Sequence, residues 1–190
     1  MKRSAILVLC LVAAFATTAI AQRDTFQILT AVKTTSTKDD SSEGRPRVVG
    51  ARSAAVNIGS LERSAFNLLN QKRAENGLKA LAWSDELEAL ARRHSEDMAD
   101  YKYFSHQGRD GSMVSDRADR SGLTKWRSIG ENIAFNRGYK DPIEVAVKLW
   151  LESPSHRHNL LNSEWRESAV GIAVAEDGSY YLTQVFLLRK

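Results

Sequence analysis

A carboxylate and a carboxamide, Glu131 and Asn132, stand side by side in an otherwise apolar stretch, residues 129–135. Polar groups among apolar residues must find hydrogen-bond partners or move into water. If the stretch is extended, alternate side chains share a face, so Glu131 projects among hydrophobic neighbours and Asn132 projects to the other side. Because pKa values shift in such settings, Glu131 is a candidate site residue. The alternative is a structural role, in which Glu131 caps a turn or pairs with an arginine.

The histidines are the side chains whose charge changes most readily near neutral pH. His94 falls on the apolar stripe of a predicted helix, where it is either a hydrogen-bonded core residue or a ligand. His106 lies between two aromatic residues and a turn-rich loop, where it is either a site residue or a solvent-facing side chain. His156 and His158 are two residues apart, and a short helix capped by Ser155 would turn one inwards and the other outwards.

The elements that must position these residues are helices and a hairpin. Helical periodicity and end signals predict helices at about residues 61–76, 85–101, 112–121 and 142–153, with Gly59-Ser60, Ser84, Ser112 and Asp141 as their starts. Alternating residues on either side of Asp177-Gly178 predict a terminal hairpin. Both faces of this hairpin are mostly apolar, so helices should cover both. The predicted fold is α/β, an α/β/α three-layer sandwich with a small antiparallel sheet.

The first 60 residues differ in composition from the rest of the chain. Residues 1–21 combine basic residues, an apolar run and a small-residue cleavage site, which predicts a secretory signal, with a retained anchor as the alternative. Residues 22–60 are polar and predict a flexible tether, and residues 61–190 form the domain. The single cysteine, Cys10, lies in the signal. The exported chain would therefore have no thiol for catalysis, metal binding or disulfide formation.

The charge balance argues against nucleic-acid binding. The chain has a formal net charge of +4, from 27 Lys and Arg against 23 Asp and Glu. Residues 61–190 contain 19 of each kind, so the excess lies entirely in the first 60 residues. Nucleic-acid binding favours a basic face on the domain itself, which this balance does not provide.

Several ordered motifs resemble those of a known family. They are Asn76-Gly77-Leu78, His94-Ser95-Glu96-Asp97-Met98, Tyr103-Phe104-Ser105-His106, Gly130-Glu131-Asn132-Ile133-Ala134 and Ser155-His156-Arg157. With these motifs, residues 61–190 look like the CAP superfamily, the cysteine-rich secretory, antigen 5 and pathogenesis-related proteins with an SCP domain. The chain is similar to the bacterial, cysteine-free branch of this superfamily.

This resemblance implies an α/β/α fold with a cleft lined by two histidines and two glutamates. His106, Glu131 and His156 match three of these positions. The position of the second glutamate is occupied by Ser153, with Glu152 one residue away. The resemblance therefore implies a binding cleft formed by His106, Glu131 and His156, with Ser153 and His94 as polar neighbours.

Two neutral imidazoles and a carboxylate can hold a divalent metal such as zinc and leave a position open. We expect His106 and His156 to be the metal ligands and Glu131 to be a further ligand or a catalytic base. The first hypothesis is a secreted, monomeric module that binds a small molecule, a lipid or a cell-envelope ligand. The alternative is a metal-dependent, peptidase-like hydrolase that uses His106, Glu131 and His156, and a purely structural cleft ranks third. Whether the protein is an enzyme is left open.

Overall fold

The computed structural model describes residues 57–190. They form α1 Ile58–Glu75, β1 Ala82–Trp83, α2 Asp85–Tyr101, α3 Val114–Arg120, β2 Trp126–Arg137, α4 Pro142–Glu152, α5 Pro154–Leu160, β3 Glu167–Val174 and β4 Ser179–Arg189. Within this range no helix has both the length and the apolar composition needed to cross a membrane. The predicted signal, residues 1–21, and residues 22–56 of the predicted tether lie outside the described residues and stay predictions.

The strands form one sheet in the order β1-β3-β4-β2. Strand β4 pairs antiparallel with β2 and with β3, as the predicted hairpin requires. The short strand β1 adds a parallel pair, in which Trp83 lies opposite Ser168 of β3. The sequence does not indicate this strand, because two residues are too few to show an alternating pattern.

Side chains of β4 alternate between two apolar layers. Leu182 and Phe186 pack in a cluster with residues from α1, α4 and α5. Val185 and Leu187, on the other face, pack with residues from α2 and α3. Because helices cover both faces, the predicted α/β/α sandwich is confirmed.

The two best-defined helix starts had different outcomes. Helix α4 begins as predicted, because the Asp141 carboxylate accepts hydrogen bonds from the backbone N–H groups of Ile143 and Glu144 at 3.1 and 2.9 Å. The predicted start of α1 is wrong. Helix α1 begins at Ile58, and the side chain of Asn57 accepts from the N–H of Ser60 at 3.1 Å. The predicted tether therefore extends three residues too far, because Ile58 packs against the core and brings Asn57 to the cap position.

The predicted caps of the two short helices are also wrong. Helix α3 follows Met113, whose N–H donates to the Asp116 carboxylate at 2.8 Å, while the Ser112 hydroxyl donates to Asp110. Helix α5 follows Ser153, one residue before Pro154. Proline fits the first helical turn, where its missing N–H needs no partner, so Pro154 begins α5 as well as ending α4.

Candidate functional site

Glu131 lies on β2 opposite Val185 of β4, and only 7% of the residue is exposed. One carboxylate oxygen accepts from Nδ1 of His106 at 2.8 Å, and the other accepts from the Arg117 guanidinium at 2.5 Å. Because an ionised carboxylate accepts and does not donate, Nδ1 of His106 carries the proton. The arginine pairing that was the structural alternative for Glu131 does occur, and the same carboxylate also holds a histidine.

Arg117, on α3, also fixes the loop that carries His106. Its second terminal nitrogen donates to the backbone oxygens of His106 at 3.0 Å and Ser112 at 2.9 Å. Sequence reasoning missed this residue. A carboxylate in an apolar stretch signals that a cation is needed, but the sequence offers many lysines and arginines and does not indicate which one approaches.

His94, on α2, supports the same loop from the other direction. The residue is buried, and its Nε2 donates to the backbone oxygen of Ser105 at 3.0 Å. Burial lowers the pKa of His94, and the negative charge of Glu131 partly opposes this effect. His94 thus holds the residue next to His106 and does not line the groove that contains the two cleft histidines.

His156, on α5, faces His106 from the opposite side. The centroids of the two imidazole rings are 6.2 Å apart, and the ring planes meet at 43°. Burial lowers the pKa of His156, and the neighbouring His106 lowers it further. His156 is therefore neutral at neutral pH, the form in which an imidazole can bind a metal. His158 is exposed, as the predicted divergence of these two histidines requires.

Asn132 ties His156 to the strand that carries Glu131. It is fully buried, and its side-chain nitrogen donates to the backbone oxygen of His156 at 3.1 Å. The Asn159 side chain donates to the backbone oxygen of Glu131 and to the side-chain oxygen of Asn132, both at 3.1 Å. These bonds join β2 to α5, so neighbouring residues of one strand position both sides of the groove.

The motif Gly130-Glu131-Asn132-Ile133-Ala134 begins with a glycine because Trp165 leaves no room for a side chain there. A Cβ atom at this position would lie 2.9 Å from the Trp165 ring, closer than real Cβ contacts allow. The Trp165 indole N–H donates to the backbone oxygen of Asn159 at 3.0 Å. A side chain at residue 130 would displace Trp165 and, through Asn159, loosen the junction between β2 and α5.

Two residues near the predicted second glutamate position do not reach the groove. The Ser153 hydroxyl lies 3.3 Å from that of Ser155, and Ser153 is not among the groove residues. Glu152 is exposed and pairs loosely with Lys148, at 3.8 Å. The structure therefore brings together His106, Glu131 and His156, with Glu131 buried against His106. Ser153, His94 and Glu131 itself are not among the residues that line the groove, and His94 lines a different pocket, beside α2 and α3.

The groove between the two histidines has a volume of about 490 Å³. Besides His106 and His156, its walls include Phe104, Met113 and Ile133. Phe104 and Met113 are exposed, and the Phe104 ring also contacts exposed Phe135, with ring centroids 6.2 Å apart. The groove thus offers two imidazoles beside an uncovered apolar surface.

The groove offers few protein ligands for a metal. Among residues 57–190, no group of three or more His, Cys, Asp or Glu side chains is arranged to hold a metal ion. Both oxygens of Glu131 already accept hydrogen bonds, so this carboxylate orients His106 and is poorly placed to bind a metal directly. Because the carboxylate binds Nδ1 of His106, the other ring nitrogen, Nε2, keeps a lone pair that can bind a metal. Two imidazoles facing each other fit a weak, open site and do not fit a sealed structural one.

This chain is similar to several known proteins. The model of the CAP family, described as the cysteine-rich secretory protein family, matches residues 66–186. The uncharacterised Bacillus subtilis protein YkwD is 36% identical over 135 residues, covering 71% of this chain and 50% of YkwD. The uncharacterised Bacillus subtilis membrane protein YlbC is 38% identical over 128 residues, covering 67% of this chain and 34% of YlbC. The chain thus spans half or less of these relatives.

Solved structures give the same result. An extracellular SCP-domain protein of Bacillus anthracis matches with a TM-score of 0.59 and 33% identity, over 70% of this chain and 41% of that one. An outer surface protein of Borrelia burgdorferi matches with a TM-score of 0.62 over 71% of this chain and 97% of that one. Because the two sequences are only 18% identical, this match shows a shared fold and nothing further. With a family model that covers more than half of its length, this chain belongs to the CAP family of cysteine-rich secretory proteins.

Proposed function

We propose that this CAP protein is an exported binding module whose groove takes an amphipathic ligand of the cell envelope, with a divalent metal held by His106 and His156. The observation that carries the proposal is the buried Glu131, which holds His106 towards His156 while 40% of the His106 side chain stays exposed. A carboxylate buried only for stability would not need a partner open to solvent. The predicted signal at residues 1–21 and the extracellular Bacillus anthracis neighbour support export.

The metal would be held by the free ring nitrogen of His106 and by His156. Neutral imidazoles suit zinc, and the described residues contain no thiolate to compete with them. A bound zinc ion would supply a Lewis acid that attracts an oxygen of the ligand. Glu131 would orient His106, and Asn132 would hold the backbone of His156.

The apolar wall argues for the class of ligand. Phe104 and Met113 are large hydrophobic residues that stay exposed beside the histidines. A ligand with a polar head at the imidazoles and an apolar chain along Phe104 and Phe135 would cover both kinds of surface. These contacts favour a lipid or fatty acid over a fully polar wall fragment.

Hydrolysis is the second candidate. The observation that favours it is the Glu131–His106 pair, since a carboxylate on Nδ1 prepares Nε2 of a histidine to accept a proton. The observation against it is that both oxygens of Glu131 are engaged, so Glu131 has no free oxygen with which to act on water as a base. We therefore place binding before metal-dependent hydrolysis.

Titration of the purified chain with a fluorescent fatty acid tests the proposal. We expect saturable binding that falls at least about tenfold in Phe104→Ser and Met113→Ser, which corresponds to about 1.4 kcal/mol. Tyr139→Ser is the matched control, because Tyr139 is exposed but lies outside the groove. Equal loss in all three variants would contradict a specific site. Turnover of peptides or wall fragments that is lost in Glu131→Gln, with no fatty-acid binding, would favour the hydrolase instead.

A further inference from the structure

A second pocket, with a volume of about 410 Å³, lies beside α2, α3 and the loop between them. This loop contributes residues 104–107 and 113 to the histidine groove, whereas residues 108–110 and 112 line the second pocket. No residue is shared between the two linings. The volume falls in the range of about 300–1,000 Å³ that is typical of small-molecule sites.

The charged residues of this pocket are mostly arginines. Four guanidinium groups and two carboxylates line it, from Arg93, Asp97, Arg109, Asp110, Arg117 and Arg120. Protein contacts already use both carboxylates, since Asp97 accepts from the Tyr103 hydroxyl and Asp110 accepts from Arg120 and from Ser112.

Among the described residues, two of the four guanidinium groups have no carboxylate partner. Arg117 pairs with Glu131 and Arg120 pairs with Asp110, but within residues 57–190 neither Arg93 nor Arg109 forms an ion pair. Unpaired surface arginines usually face solvent without a specific role. Here the two residues come from different elements, α2 and the loop, and line the same concave pocket.

Arg109 is also held in place before any ligand arrives. Its guanidinium carbon lies 3.4 Å from the centroid of the Tyr101 ring, a cation–π contact that orients the group without neutralising it. The loop around it is closed by a backbone bond from Gly108 to Ser112 at 2.8 Å. A positioned guanidinium loses less entropy when it binds an anion, because less of its motion remains to be lost.

We propose that this pocket is a second ligand site, which binds an oxyanion, a phosphate ester or a carboxylate, through Arg93 and Arg109. The planar guanidinium fork matches two oxygens of either group. The ligand is a small molecule or the end of a polymer that carries this group. The pocket shares no lining residue with the histidine groove, although Arg117, which lines the pocket, also contacts Glu131 and the backbone of His106.

Calorimetric titration of the full chain at about 0.15 M salt tests the site, because general surface attraction is largely screened under this condition. The probes are glycerol 3-phosphate and glucuronate, with glycerol and glucose as uncharged counterparts. We expect the wild type to bind at least one charged probe and neither uncharged probe. Stronger binding of glycerol 3-phosphate would assign a phosphate ester, and stronger binding of glucuronate would assign a carboxylate.

The double variant Arg93→Gln/Arg109→Gln should bind at least tenfold more weakly. Its matched control is Lys125→Gln/Arg127→Gln, which also removes two positive charges from exposed residues, but away from the pocket. The control should bind as the wild type does. Equal weakening in both double variants would show general charge attraction and overturn the proposal. Absence of wild-type binding to either charged probe, or full binding by the Arg93/Arg109 variant, would also overturn it.

Discussion

Two buried glutamates, Glu62 on α1 and Glu131 on β2, make similar contacts but have different roles. Glu62 accepts hydrogen bonds from Arg92 and, at 3.0 Å, from the backbone N–H of Ile172. Glu131 accepts from Arg117 and from His106. Each carboxylate therefore pairs with one arginine and one further donor.

The two glutamates differ in the second group that donates a hydrogen bond to each carboxylate. The partner of Glu62 is a backbone N–H on β3. Within residues 57–190, the outer edge of β3 has no strand partner beyond the two residues paired with β1. Glu62 thus closes an open sheet edge, which would otherwise leave a buried donor unpaired. The partner of Glu131 is a side chain that stays 40% exposed and keeps a free ring nitrogen. A buried carboxylate can thus either satisfy a backbone N–H at the edge of a sheet or orient a solvent-exposed histidine.

The largest expected effect is on stability, in Glu62→Ala. This change leaves the Ile172 N–H without its acceptor and removes the main carboxylate partner of Arg92. We expect the free energy of unfolding to fall on the order of 3 kcal/mol, measured by urea denaturation. Glu88→Ala, which removes the other partner of Arg92 but no backbone contact, should cost clearly less. Equal losses would show that Glu62 does not close the edge.

The same substitution at both glutamates separates the two roles. Glu131→Gln should weaken zinc binding by about 10- to 100-fold, because the neutral amide orients His106 less firmly than the carboxylate does. Glu62→Gln should leave the zinc affinity unchanged, since Glu62 has no contact with either histidine. Titration of the two folded variants with zinc measures both affinities. A similar loss in both variants would mean that zinc binding reports general stability and not the position of His106.

Asn57→Ala should lower the free energy of unfolding by about 1 kcal/mol, because it removes the side-chain cap of the helix that carries Glu62. Its zinc affinity should equal that of the wild type, since α1 contributes no residue to the groove. Urea denaturation and zinc titration of this variant provide the two values. A change in zinc affinity would indicate that the two glutamate sites are coupled.

The smallest effect concerns pH. Burial lowers the pKa of His94, so below about pH 6.5, the ordinary histidine value, the unfolded chain takes up a proton that the folded chain resists. The free energy of unfolding should therefore fall as the pH drops below about 6.5. His94→Gln, which can still donate to Ser105, should show a smaller fall between pH 7 and pH 5.5. If the free energy of unfolding falls equally in the variant and the wild type, His94 is not a source of the pH dependence.

Local signals predicted much of the fold, and long-range contacts account for what was missed. The Asp141-Pro142 start of α4 depends on neighbouring residues only and was predicted correctly. The start of α1 was wrong because Asn57 and Ser60 are both good caps and only packing selects between them. The partners of Glu131 show the same limit, because Arg117 lies 14 residues away on another element and no local pattern connects them.

The site was predictable in part, for the same reason. The extended stretch at residues 129–135 is confirmed within β2, and it gave Glu131 and Asn132 their opposite faces. The resemblance to the family indicated His106 and His156, and in the structure the centroids of their imidazole rings are 6.2 Å apart. The separation of Ser153 and His94 from the groove depends on how α5 and α2 pack, which no spacing in the sequence determines.

The proposal that His106 and His156 hold a divalent metal is tested most directly by calorimetric zinc titration at neutral pH. The proteins compared are the wild type, His106→Ala, His156→Ala and His158→Ala. We expect weak zinc binding by the wild type, no measurable binding by the first two variants, and wild-type affinity in His158→Ala, whose side chain is exposed. The wild-type affinity should also fall as the pH drops through about 6.5, because protons compete for the imidazoles. Zinc binding that survives both cleft substitutions, or that depends on His158, would contradict the account.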